Sequence, residues 1–61
     1  MKVRVLLKRL KHDGWWQERM KGSHRQFRHL NKPGTVTVSG NLGTEIPKGT
    51  LAAILKQAGL K

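Results

Sequence analysis

Hydrophobic residues recur at one spacing at the two ends of this chain and at another in its middle, and that switch leaves few architectures open. Val3, Leu6, Leu7 and Leu10 fall at i, i+3, i+4 and i+7, one face of a helical period, so the first segment is predicted to be an amphipathic helix. Gly14 marks its end, and Lys8, Arg9 and Lys11 suit the negative pole of the helix dipole. Val5 lies off the stripe and is expected to be partly exposed. From Trp15 to Ser39 the period becomes two. "WWQERM" and "HRQFRHL" read as strands about a Gly22-Ser23 corner, and "NKPG" turns the chain into a third strand, "TVTVS". Leu51, Ile54, Leu55 and Ala58 restore the helical spacing between Pro47 at the entry and Gly59 at the exit. The expected fold is α+β, ordered α-β-β-β-α: a three-stranded antiparallel sheet with two helices on one face and the other face open.

Two local features of that sheet stay open at this stage. Phe27 and Leu30 cannot both face one core along a regular strand, which calls for a bulge or an early strand end. Trp15 and Trp16 are adjacent, so one belongs to the core and the other is free to act as a stacking platform for a base.

At 61 residues the chain is one domain, spanning 1–61. A chain of this size buries only about 60% of its unfolded surface. Without cysteine it has neither disulfides nor a thiolate nucleophile, which fits a reducing cytoplasm. Its longest aliphatic run is Val5-Leu6-Leu7, far short of the roughly 20 apolar residues of a membrane span, and no secretory leader is read. Thirteen Lys/Arg against three Asp/Glu give a net charge of +10. The basic residues run from Lys2 to Lys61, so the folded body itself is cationic and calls for a polyanionic partner, nucleic acid before membrane.

The ligand inventory argues against most hydrolytic chemistry. Asp13, Glu18 and Glu45 lie in different elements, too scattered for a two-metal site, and His24 and His29 point to opposite faces of one strand. No metal and no cofactor are expected. Ser23 has no carboxylate placed to orient a histidine beside it. RNA, however, carries its own nucleophile in the 2′-OH. Its cleavage needs a group to take that proton, an acid for the departing 5′ oxygen, and cations around the phosphorane. Imidazole can serve in either proton-transfer role near neutral pH. On residues alone the plainer reading of His24 is a hydrogen-bonded structural histidine, because a lone histidine in a basic stretch is a weak signal of catalysis.

The run "DGWWQERMKGSHRQFRHLNKPGTVTVSG" followed by "IPKGTLAAILKQAGLK" resembles the HicA-type toxins of bacterial toxin–antitoxin pairs over nearly the whole chain. The motifs are G-S-H-x-x-F at Gly22 to Phe27, K-P-G-x-V-T-V at Lys32 to Val38, and the P-K-G-T-L…I-L-K-Q-A-G tail. The resemblance implies a double-stranded-RNA-binding-domain-like fold, an mRNA-cleaving endoribonuclease with a single functional histidine at the position of His24, and a cognate HicB antitoxin. The chain departs from relatives that carry His-Pro after the second strand, having His29-Leu30. It also has Val38-Ser39-Gly40-Asn41 where relatives often carry Val-Pro and a further histidine.

The expectation is therefore a metal-independent endoribonuclease toxin that inhibits translation and growth and is a monomer when free. His24 is its catalytic acid/base, and Lys21, Ser23, Arg25 and Arg28 bind RNA. His29, Lys21 and Arg25 stand as candidates for the second acid/base. The rival readings are a non-catalytic RNA-binding module of the same fold and a basic peptide lying on membranes.

Overall fold

A computed structural model describes residues 1–60. It contains α1 (Val3–His12), β1 (Trp16–Lys21), β2 (His24–Arg28), β3 (Val36–Ser39) and α2 (Lys48–Gln57), in that order. The strands form one antiparallel sheet in the order β1-β2-β3. Both helices lie on the same side of it, the arrangement of the double-stranded-RNA-binding-domain-like fold. No described helix is long and apolar enough to cross a membrane.

The core follows from the two periods. Val3, Leu6, Leu7 and Leu10 of α1 are buried against Phe27 of β2, Val36 and Val38 of β3, and Ile54 and Ala58 on the second helical segment. Val5 is about half exposed, off the stripe as expected. Leu51 and Leu55 pack at the margin of this cluster. β2 ends at Arg28, and Leu30 turns out to solvent at 90% exposure, which settles the conflict between Phe27 and Leu30 by early termination.

Both helices end in the same way. Trp15 N–H donates to Leu10 O and Gly14 N–H to Lys11 O, while Leu60 and Gly59 repeat the pattern on Leu55 and Lys56. These crossed bonds are the Schellman arrangement, which satisfies the last carbonyls of each helix. At the other end of α1 no side chain caps the helix. Val3 and Arg4 N–H instead donate to Thr44 and Leu42 carbonyls of the loop before α2. That loop thereby serves as the cap and joins the chain's two ends.

Gly14 is held twice over: its φ is +104°, and a Cβ there would lie 2.7 Å from Nε2 of the His29 ring. Gly22, at the β1–β2 corner with φ +59°, has nothing within 4 Å of that position. Gly14→Ala is therefore expected to cost on the order of 2 kcal/mol or more, and Gly22→Ala less, since only the backbone term applies there. Thermal melts of the two variants check this; equal losses would mean that the contact with His29 carries no weight.

One polar cluster ties the helix ends together. Lys32 Nζ donates to Asp13 Oδ2 at 2.5 Å and to Ala58 O at 3.0 Å, bridging the C-terminal ends of α1 and α2. The Lys32 ammonium, first by its hydrogen bond, holds the Asp13 carboxyl below its ordinary value. A depressed carboxyl stabilises the fold above its unfolded value near 4, and that contribution is lost as pH falls through the folded value. Stability should thus decline below about pH 4. Asp13→Asn should flatten this acid limb in urea titrations run at successive pH values, and an unchanged limb would remove Asp13 from the explanation.

Candidate nucleic-acid interface

The corner "KGSH" sets the site. Gly22 with positive φ followed by Ser23 with negative φ is the type II′ pattern, in which glycine takes the first central position. Its twist matches that of the flanking strands, so Lys21 and His24 become direct cross-strand partners. On the other side of β2, His24 pairs with Ser39. His24 is therefore exposed in the middle strand, flanked by a cation from β1 and a hydroxyl from β3.

Antiparallel pairing carries the same face along the sheet. Gln26 lies between Arg19 and Thr37, and Arg28 pairs with Trp16. Arg19, Lys21, His24, Gln26 and Thr37 together line a shallow depression on the side that no helix covers. The register shifts between Gln17 and Arg19, so Glu18 is an extra residue in β1. That bulge decides the fate of the two tryptophans. Trp15 enters the core at 2% exposure, edge-on to His29 with ring centroids 5.2 Å apart, while Trp16 stands on the open face at 46%.

The face is cationic through Arg19, Lys21 and Arg28. Glu18 approaches Arg28 Nη1 only to 3.9 Å, and both groups are solvent-exposed, so this pair cancels little of the charge.

A family model described as HicA toxin of bacterial toxin–antitoxin matches residues 3–60 of the chain. The chain belongs to the HicA toxin family. Its function is thus that of a toxin in a toxin–antitoxin pair, with a cognate antitoxin as partner. No curated protein sequence matches it.

In this HicA chain the expected site residues separate into two groups. His24, Lys21 and Arg28 share the open face, and Ser23 sits half-buried at the corner beside them. Arg25 does not join them. Strand alternation sends it to the helix side, where it is 8% exposed and donates through Nη1 to Gly40 O at 2.8 Å and Ser23 O at 3.4 Å. Its guanidinium thus ties the corner to the end of β3, on the side of the sheet away from His24.

His29 lies on the face opposite His24, as strand alternation expects. Its side chain is only 9% exposed and lies on the core side against Trp15. Asn31 and Lys32 N–H both donate to Nδ1, at 3.0 and 3.2 Å. Nδ1 therefore carries no proton, and Nε2–H donates to Asp13 O at 2.7 Å. Both nitrogens of His29 are thus engaged, on the far side of the sheet from His24. Of the three candidates for the second proton, Lys21 alone shares the face of His24.

Reading along the chain missed Arg19, Thr37 and Ser39, because they reach the site through register rather than through nearness to the G-S-H motif. Among the described residues no group of three His, Cys, Asp or Glu gathers as a metal site would require.

Proposed function

We propose that this toxin is a metal-independent endoribonuclease acting on mRNA, with the open sheet face as its RNA surface and His24 as its acid/base. The observation that carries this reading is the position of His24: exposed, central in the sheet, and flanked by Lys21 and Ser39 beside Arg19. A histidine kept for structure would be packed and bonded as His29 is.

In this mechanism His24 takes the proton of a ribose 2′-OH. The 2′ oxygen attacks the adjacent phosphorus, the bond from phosphorus to the 5′ oxygen breaks, and that oxygen accepts a proton. The products are a 2′,3′-cyclic phosphate and a 5′-OH. Lys21 and Arg19 neutralise the charge that grows on the phosphorane, and the hydroxyls of Ser39 and Thr37 can donate to its oxygens. Lys21 is the group placed to supply the leaving proton. The antitoxin acts by covering the same face with an acidic surface, since burying Lys21 and Arg19 without counter-charges costs several kcal/mol.

The test is incubation of the antitoxin-free toxin with an end-labelled transcript in EDTA, followed by analysis of the new ends. Cyclic-phosphate and 5′-OH termini are expected, and binding without cleavage would leave only an RNA-binding module. Lys21→Glu should reduce cleavage more than Lys8→Glu on the exposed side of α1. Equal losses would mean diffuse attraction instead of a site.

A further inference from the structure

Trp16 is not used by the proton-transfer chemistry, yet the fold brings it to the same face. The residues that strands β1 to β3 present there are otherwise polar or charged: Arg19, Lys21, His24, Gln26, Arg28, Thr37 and Ser39. Trp16 is the one large hydrophobic side chain among them. It covers no part of the core, because both helices pack on the opposite side and Trp15 fills the neighbouring core position.

Its placement depends on the bulge at Glu18. In an unbroken register, Lys21 opposite His24 would put Trp15 on the open face and send Trp16 toward the helices. The extra residue reverses that choice while leaving Arg19 and Lys21 beside His24. It also sets Trp16 directly across from Arg28.

We infer that Trp16, with Arg28 beside it, is a base-stacking subsite for single-stranded RNA bound across the open face. The inference rests on the endoribonuclease reading and deepens it. An indole face and a guanidinium plane are surfaces on which unstacked bases settle. The pair lies four residues along β2 from His24, a span of about 13 Å at the rise of a strand. A short run of nucleotides bridges that distance. The subsite therefore holds a base a few nucleotides from the scissile phosphate, while Arg19 and Lys21 hold the intervening backbone. Every base has a π face, so the subsite sets affinity and register along the strand more than sequence choice.

The experiment uses the antitoxin-free toxin and a short single-stranded 2′-deoxy oligonucleotide, which the proposed chemistry cannot cut. Trp16→Ala should weaken its binding by roughly 5- to 150-fold, the equivalent of one lost stacking contact. Trp16→Phe should retain most of the affinity. The slope of log Kd against log salt should be unchanged in both, because no phosphate contact is removed. Arg19→Ala, which removes a backbone contact, should lower that slope by about 0.7 per phosphate released. Wild-type tryptophan fluorescence should be quenched by the oligonucleotide, and the quench should vanish in Trp16→Phe, where only buried Trp15 remains. Near-wild-type affinity in a Trp16→Ala protein that keeps its circular dichroism would overturn the subsite while leaving the cleavage mechanism standing. Absence of oligonucleotide binding by the wild type would remove the RNA reading and the subsite together.

Discussion

Replacing His24 with alanine is expected to lower RNA cleavage by about 100- to 10,000-fold, the usual weight of a positioned proton-transfer group. Growth arrest on expression should be lost with it. The melting temperature should move by no more than about 2 °C, because an exposed side chain at a strand start leaves no cavity when truncated. His29→Ala is the matched comparison. It removes a buried ring that bonds Asp13 O and accepts from Asn31 and Lys32, so its loss should appear in stability first. If the two variants exchanged these signatures, the assignment of structural and chemical histidines would be reversed.

The second large effect belongs to Arg25. Arg25→Met keeps an unbranched buried stem but removes the guanidinium that binds Gly40 O and Ser23 O. Hydrogen bonds from charged groups contribute about 1.5 to 3 kcal/mol, and the two carbonyls are left with less than they had. In a domain this small the melting temperature should fall on the order of 10 °C. Below that melting point, the salt dependence of RNA binding should stay as in the wild type, since no phosphate contact is lost. A reduced salt slope in a stable Arg25→Met protein would return Arg25 to the RNA surface. The corner it holds also positions His24, so cleavage should decline moderately with stability and be restored in part at lower temperature.

What could be read along the chain was whatever depends on local spacing. The stripe Val3, Leu6, Leu7, Leu10 identifies α1 because helical geometry alone decides which residues share a face. The G-S-H corner likewise announces a hairpin whose second strand begins at His24. Alternation already put Arg25, Phe27 and His29 on the side away from His24, and their burial follows from it. Nearness to His24 along the chain was the wrong guide to a shared site, since neighbours on a strand diverge. What could not be read was register. Whether Trp15 or Trp16 enters the core turns on one extra residue at Glu18, and no local spacing reports a bulge. Ser39 and Thr37 meet His24 and Gln26 only through the pairing of β2 with β3, fixed by the length of the 29–35 turn.

The central claim is that His24 works on the RNA's own 2′-OH and on nothing supplied by metal or protein. A substrate that differs from the preferred RNA by one missing oxygen, the 2′-OH at the mapped cleavage position, tests it most directly in single-turnover assays. The expected result is binding as tight as to the parent RNA with no cleavage at that position, with and without EDTA. Continued cleavage at the 2′-deoxy position would contradict the mechanism, because the attacking nucleophile would then have to come from elsewhere.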